Sequence, residues 1–372
     1  MSQKKNICLL NFGRKGCSPV LIEEFAKNIS NTVGEEIEIS AIISNQSDRK
    51  ESFSKLGIKT LYIDTHSGYL SALLSLFKVF DNQKKIKNFL LGNNVGVVFC
   101  IMSNHLSALL SGTYKNIGIQ YISLIHEISN VSLLPSDLIA SSLLKREILN
   151  SDKIIALTDY IKKGISKKFK YNDSNIFVIN HPNYNFSNIK VRNIHNKKNI
   201  NILFFGRIIY YKGLDILLNS WPQISREIPN AKLQIIGSGE CGKYKGFIES
   251  RDDIYLRNEF IKDSEIGKIF DEADLLVVPY RRASQSGVIS TAFGSAMPVV
   301  CTNVGGLGEQ VKHMSTGIIS KNINAKSIAE SVITLLQDKQ LYNRLTHNII
   351  NESKNINNWE NVSKKILDVL CS

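Results

Sequence analysis

Arg207 and Lys212 are the residues best placed, by type and spacing, to do chemistry. They lie in Ile202–Gly213, ILFFGRIIYYKG, where an apolar strand ends at Gly206 and Gly213 precedes a helix. Two cations at the mouth of a sheet, beside a helix N-terminus, suit a phosphate or pyrophosphate. Arg can grip two oxygens at once, whereas Lys acts as a point charge. A pair of solvated loop cations would show the same sequence.

Two further segments could meet the same anion. Leu275–Val300, LLVVPYRRASQSGVISTAFGSAMPVV, runs from a strand through Ser284, Gln285, Ser286 and Gly287 into a helix beginning at Val288. Successive backbone N–H groups at such a turn make an anion nest, and Gly287 permits close backbone approach. Ser284 and Ser286 are equally good helix N-caps. Ile235–Glu240, IIGSGE, puts Gly237 and Gly239 directly after a strand. A lone GxG is a weak signal, since glycine also ends strands and makes turns.

Parallel sheets are needed to position these segments. Short apolar runs alternate with helical patterns along the whole chain. Strands are expected at Ile7–Phe12, Ile37–Ser44, Thr60–Ile63, Gly96–Met102, Ile119–Ile125, Lys153–Leu157 and Ile176–Ile179. Helices are expected at Pro19–Ile29, Gly68–Leu91 and Leu106–Lys115. A second series follows: strands Ile200–Gly206, Lys232–Gly237, Ile254–Leu256, Leu275–Pro279 and Pro298–Thr302, with helices Leu214–Glu227, Asp263–Ala273, Val288–Ala296 and Ala325–Asp338. Continuous apolar strands separated by helices mean parallel sheets covered on both faces. Between the series, Asn180–Lys198 is polar, Asn-rich and aperiodic, and reads as a linker. The fold class is therefore α/β, with two doubly wound Rossmann-like domains and a ligand cleft between them.

Composition bounds the partners. The 372 residues are 43% hydrophobic and 21% charged, which is globular and not disordered. The net charge of +13 calls for an anionic partner or for a bland cause such as Lys-rich codon usage. Residues 1–186 hold 22 Lys and Arg against 15 Asp and Glu; the remainder holds 24 against 18. That even spread disfavours nucleic acid, which would need one basic stripe or a recognised module. The N-terminal apolar run is too short for a secretory signal, and Gly68–Phe80 is too short to span a bilayer and carries Lys78. The six cysteines are scattered, without zinc spacing, and Cys8, Cys100 and Cys301 read as buried hydrophobes. A cytoplasmic location fits best.

The order GR…KG, IIGSGE, ADLLVVPY, a glycine loop with its helix, then PVVCTNVGG…E resembles the GT-B glycosyltransferases, in particular the retaining family 4 type of bacterial surface polysaccharide synthesis, such as O-antigen or capsule. The match covers most of Ile200–Leu336. The resemblance implies an acceptor-side domain at 1–182, a linker at 183–198, a nucleotide-sugar-binding domain at 199–355, and a final segment, 356–372, packing back on the first domain. It makes Arg207 and Lys212 the pair holding the donor diphosphate, and neutralising the leaving group is usually the largest catalytic term. It places Asn258, Glu259, Phe260 and Ile261 in the loop whose backbone reads the base. It places Gly13 and Gly16 in the loop that approaches the diphosphate, and His126 near the transferred sugar. A hydrogen-bonded histidine at a strand end would look the same as His126.

One departure is clear. Two Glu residues, eight apart, usual in the loop and helix before PVV, are absent; Ala283 and Thr291 fall at their positions. The stretch from Gly287 to Pro298 is also one residue shorter than usual. Ser284, Gln285 and Ser286 could supply neutral hydrogen bonds instead. No carboxylate pair is available for a double-displacement route. A front-face substitution, in which the leaving phosphate helps deprotonate the acceptor, needs only the clamp and positioning. No D-x-D motif is present, so no metal or other cofactor is expected. The donor expected is a UDP- or GDP-sugar, and the acceptor a lipid-linked saccharide or an oligosaccharide. A sugar-nucleotide 2-epimerase of the same architecture and a non-catalytic nucleotide-sugar binder are the alternatives.

Two basic clusters in the first half suit an anionic inner-membrane surface. They are Lys84, Lys85 and Lys87, and Lys162, Lys163, Lys167, Lys168 and Lys170 within YIKKGISKKFKY. A solvated helix face would look alike.

Overall fold

A computed structural model describes residues 6–32, 37–65, 69–128, 135–186, 189–194 and 197–372, without the side chains of 69–80 and 135–137. The elements in chain order are β1 (Asn6–Asn11), α1 (Cys17–Thr32), β2 (Ile39–Ser44), α2 (Lys50–Ser54), β3 (Lys59–Ile63), α3 (Tyr69–Gly92), β4 (Val95–Cys100), α4 (His105–Asn116), β5 (Gln120–Ile125), α5 (Pro135–Asn150), β6 (Lys153–Ala156), α6 (Asp159–Phe169) and β7 (Ile176–Val178). They continue with β8 (Ile200–Phe205), α7 (Leu214–Glu227), β9 (Ala231–Gly237), α8 (Lys245–Glu249), β10 (Ile254–Asn258), α9 (Asp263–Glu272), β11 (Leu275–Val278), α10 (Gly287–Gly294), β12 (Val299–Thr302), α11 (Leu307–Gln310), β13 (Gly317–Ser320), α12 (Ala325–Gln337), α13 (Lys339–Asn355) and α14 (Trp359–Cys371). Gly68, expected in the third helix, lies outside the described residues.

The chain divides into two compact units: residues 1–180 with 359–372, and residues 181–358. The first holds a seven-stranded sheet in the order β3-β2-β1-β4-β5-β6-β7. The second holds a six-stranded sheet in the order β10-β9-β8-β11-β12-β13. Every ladder pair is parallel. Helices must therefore cover both faces, which explains why the strands read as unbroken apolar runs.

The second unit shows this directly. Ile202 and Phe204 of β8 face a core with Leu217, Trp221 and Val332 from α7 and α12. Leu203 and Phe205 face the opposite core, with Phe270 of α9 and Ile289 of α10. In the first unit, Cys8, Leu10, Val98 and Cys100 share a core with Ile86, Leu90 and Tyr114. The buried Cys8 and Cys100, like Cys301, are free thiols.

The polar stretch expected to be a bare linker has a different structure. Asn183, Tyr184, Arg192 and Ile194 are buried within the second unit; residues 187–188 and 195–196 lie outside the described residues. The Arg192 guanidinium donates to the carbonyls of Ser295, Ala273 and Phe270. One cation thus satisfies three helix-end carbonyls, a role that polarity alone does not reveal. In the first unit, α14 packs on α1, with the Trp359 and Phe25 rings 5.2 Å apart, edge to face.

Candidate functional site

In the second sheet the strand order reverses between β8 and β11. Open parallel sheets bind ligands at such a switch point, outside the carboxyl ends of the strands. Gly206 and Arg207 leave β8 there, and Pro279 and Tyr280 leave β11. The Lys212 ammonium donates to Tyr280 Oη at 2.7 Å and lies 4.3 Å from the Tyr280 ring centre. A Cβ on Gly206 would sit 3.8 Å from Lys212 Nζ and 3.9 Å from Val288 Cγ2. The β8 turn, the lysine and the start of α10 thus converge on one glycine.

Charge balance separates the cations of this region. Arg281 is committed within the fold: it holds Asp215 through two bonds of 2.9 and 2.6 Å and donates to the Tyr210 carbonyl. The Arg281 hydrogen bonds pull the Asp215 carboxyl below its usual range. Arg207 is exposed and Lys212 half-buried, and neither forms an ion pair among the described residues. Lys212 rests on a phenol in place of a carboxylate. Two cations without an ion-pair partner thus stand at the switch point, an arrangement that attracts anions.

Gly237 and Gly239 serve the chain around that site. A Cβ on Gly237 would lie 1.9 Å from the Gly206 carbonyl oxygen, and one on Gly239 2.1 Å from that of Ile208. Both have positive φ. Asn258 locks the second glycine: Gly239 N–H donates to Asn258 Oδ1 at 3.0 Å, and Asn258 Nδ2 donates to Gly239 O at 3.1 Å. Just beyond, Phe260 is 60% exposed, whereas Ile261 is buried in the core. Ile261 can therefore offer a ligand only its backbone.

The serine loop differs from the nest expected of it. Ser284 is fully buried. Ser286 occupies the N-cap of α10, but its hydroxyl makes no cap bond. Its N–H instead donates to Gln310 Oε1 at 2.7 Å, and Gln310 Nε2 returns a bond to the Ser286 carbonyl at 3.3 Å. One amide of the proposed nest is thus already satisfied. Gln285 Oε1 and Ser286 Oγ are buried and lack hydrogen-bond partners. Gly287 has room: its nearest neighbour would be the Tyr184 ring at 3.7 Å. At the expected glutamate positions, Ala283 and Thr291 are both buried, and Thr291 Oγ1 donates back to Gly287 O.

Residues 199–338 match the family Glycosyl transferases group 1. Arg207, Lys212 and Tyr280 all lie inside that group 1 stretch. An uncharacterized glycosyltransferase of Haemophilus influenzae is 27% identical over 197 residues, covering 52% of this chain and 54% of that protein. One from Methanocaldococcus jannaschii is 31% identical over 173 residues, covering 45% and 44%. The chain spans about half the length of these curated relatives. Among solved structures, a Rickettsia africae glycosyltransferase aligns with a TM-score of 0.71 at 16% identity, covering 99% of this chain and 98% of that one. Anabaena HepE in complex with UDP and glucose aligns at 0.73 and 16%, covering 99% of each. The fold of two Rossmann-like units is the GT-B fold.

The first unit presents its own residues outside the group 1 stretch. Asn11 ties the loop after β1: its Nδ2 donates to Ser18 O, while its Oδ1 accepts from Gly13 N and Ser18 Oγ. A Cβ on Gly13 would strike Ser18 Oγ at 2.0 Å, so only glycine fits that knot. Gly16 has φ +77 and open space around it. His126 follows β5, and its Nε2 lies 2.9 Å from the Ile101 carbonyl after β4. A carbonyl only accepts, so Nε2 carries the hydrogen and Nδ1 is the acceptor nitrogen. Burial pushes the imidazole pKa down to about 4.

The lysine clusters are partly accounted for by the fold. Lys84, Lys85 and Lys87 are exposed on α3, while Ile86 among them and Leu90 one turn on are buried. On α6, Ile161, Ile165 and Phe169 are also buried, so the apolar side of that amphipathic helix belongs to the core. Lys162 is held by the Ile176 carbonyl at 3.1 Å. Lys163, Lys167, Lys168 and Lys170 remain exposed. No helix among the described residues is long and apolar enough to cross a membrane.

Proposed function

We propose that this chain is a glycosyltransferase that moves a sugar from a nucleotide-sugar donor, with retention, to a lipid-linked or oligosaccharide acceptor in bacterial surface polysaccharide synthesis. The observation that carries the reading is the uncompensated pair Arg207 and Lys212 at the β8/β11 switch point, inside the group 1 stretch. A nucleoside diphosphate matches two cations without a carboxylate, one bidentate and one compact. Structural neighbours were solved with UDP, with UDP and glucose, and with UDP-glucose, which favours UDP as the nucleotide. A partial relative from Staphylococcus aureus, 30% identical over 155 residues, is a capsular polysaccharide biosynthesis glycosyltransferase.

In the proposed mechanism, Arg207 and Lys212 neutralise the diphosphate as the glycosidic bond lengthens. Tyr280 fixes where the ammonium sits. Gln285 and Ser286 offer neutral hydrogen bonds where related chains carry glutamates. The first unit takes the acceptor, with neutral His126 as an acceptor-side candidate. The exposed lysines of α3 and α6 would hold that unit at an anionic bilayer by charge alone. The deciding experiment is a product screen against UDP-, GDP- and dTDP-sugars. Transfer from one donor supports the reading; binding without transfer or hydrolysis leaves a silent binder; interconversion of the free sugar nucleotide identifies an epimerase.

A further inference from the structure

Pro279, Tyr280 and Arg281, consecutive at the exit of β11, each hold the short turn Tyr210–Lys212 or the glycine that follows it. A Cβ on Gly213 would lie 2.0 Å from the Pro279 carbonyl oxygen, so the backbone just after Lys212 packs directly on that exit. Tyr280 Oη accepts from the Lys212 ammonium. Arg281 N–H donates to the Tyr211 carbonyl at 2.8 Å, and its Nη1 donates to the Tyr210 carbonyl at 3.0 Å. Its guanidinium also lies 4.2 Å from the centre of the Tyr210 ring. Both ends of the Lys212 side chain are thus referred to one strand, the backbone through Arg281 and the ammonium through Tyr280.

Asp215, in the first turn of α7, completes the arrangement. Its carboxylate accepts from Nη1 at 2.9 Å and from Nη2 at 2.6 Å. Nη1 carries two hydrogens, so one planar fork serves the carboxylate and the Tyr210 carbonyl together, a geometry that an ammonium does not offer. The pairing also neutralises Asp215, so the turn is held without a free carboxylate three residues from Lys212. A lysine is a point charge on a flexible stem, and its use depends on where the turn puts it. At a reacting centre a displacement of about 1 Å can cost about 100-fold.

We infer that Arg281, held by Asp215, is a positioning residue for Lys212: it fixes the turn so that the ammonium meets the donor diphosphate in one place. The inference rests on the transferase reading and adds to it the pair that sets the geometry of the cationic clamp.

The test titrates the full-length protein by calorimetry with UDP and, separately, with inorganic pyrophosphate. Arg281→Lys keeps the charge and loses the fork, and should weaken both ligands about tenfold, the size of one hydrogen bond to a charged group. Asp215→Asn keeps one acceptor for the fork and should lose less than Asp215→Ala. In a Lys212→Ala background, Arg281→Lys should cost less than twofold, because no ammonium is left to place. The full tenfold loss in that background would show that Arg281 touches the anion itself or acts through the fold at large, and overturns the inference. So does wild-type affinity in Arg281→Lys and Asp215→Ala. Arg281→Lys and Asp215→Asn keep the test usable if Asp215→Ala does not fold. Pyrophosphate binding without UDP binding, with the same pattern among the variants, sinks the donor reading and leaves the positioning role standing. Binding of neither ligand overturns both.

Discussion

Lys212 donates to the phenol oxygen of Tyr280 across the switch point of the second sheet, at 2.7 Å. The ammonium is thereby positioned without being neutralised. A carboxylate in the same place would cancel the charge a diphosphate needs, whereas a phenol orients it and leaves it positive. The first expected outcome follows. Arg207→Ala or Lys212→Ala should lower transfer by about 10² to 10³, the scale of losing one preorganised donor at a charge-developing oxygen. Melting temperature should stay near that of the wild type, since neither residue has an ionic partner to strand. Turnover within a few-fold of wild type in both variants would remove the clamp.

Tyr280→Phe separates orientation from charge. The ring stays under the ammonium and only the hydroxyl is lost. The expected effect is about tenfold on kcat/KM, the size of one hydrogen bond to a charged group. Stability should change little, although Tyr280 is 3% exposed. A steady-state comparison with Lys212→Ala checks the link, because the double variant should be no worse than Lys212→Ala alone. Additive losses would mean that Tyr280 acts independently of the lysine.

Gly237 is expected to be intolerant of any side chain. Its φ of +146 and the 1.9 Å approach of the Gly206 carbonyl both exclude a Cβ. Gly237→Ala should cost about 3 kcal/mol or more through strain and backbone displacement. Urea unfolding measures it directly. A loss below 1 kcal/mol would show that the β8 and β9 ends can separate.

Local patterns made much of this architecture legible, and their reach explains where reading stopped. α7 is readable at both ends because Gly213 precedes it and its apolar residues recur at helical spacing up to Ile224. β8, β11 and β12 are visible because buried parallel strands are nearly unbroken apolar runs. β13, where Ile318 and Ile319 stand alone between Gly317 and Ser320, and α13, whose sequence is largely polar, leave no such trace. Arg207 and Lys212 can be found because strand, cation and glycine are contiguous. Tyr280 reaches Lys212 across 68 positions, and Gln310 reaches Ser286 across 24. No local periodicity reports such pairs. The lysine helix α6 shows the opposite failure: its amphipathic pattern is real, but its apolar side faces the core.

His126 should leave a signature in stability against pH. A histidine in the unfolded chain titrates near 6.5, whereas burial holds it at about 4 in the fold. Between those values the unfolded chain binds the additional proton, so acid favours unfolding. The contribution is complete above about pH 6.5 and is lost as pH falls toward 4. Buried Glu147, whose pKa is raised, acts in the other direction, so the comparison must be with a single variant. His126→Gln should flatten the decline between pH 6.5 and 5 relative to wild type in urea midpoints. Parallel curves would show that His126 titrates normally in the fold.

The exposed lysines of the first unit give the last expected outcome. On α6 the buried Ile161, Ile165 and Phe169 cannot also insert into a bilayer, so any attraction there must be electrostatic. Electrostatic attraction to anionic lipid is worth about 1 kcal/mol per lysine near the surface and is screened over about 10 Å at 0.1 M salt. Cosedimentation with anionic vesicles should therefore fall steeply between 50 and 300 mM salt, on the order of tenfold or more. Replacing Lys163, Lys167 and Lys168 by Gln should weaken it about as strongly at low salt. Lys162 is the internal control: its ammonium is held by the Ile176 carbonyl, so Lys162→Gln should affect vesicle binding less than Lys167→Gln. Binding that ignores salt, or that needs no anionic lipid, would mean that the exposed Leu138 and Ile139 on α5 make the contact instead.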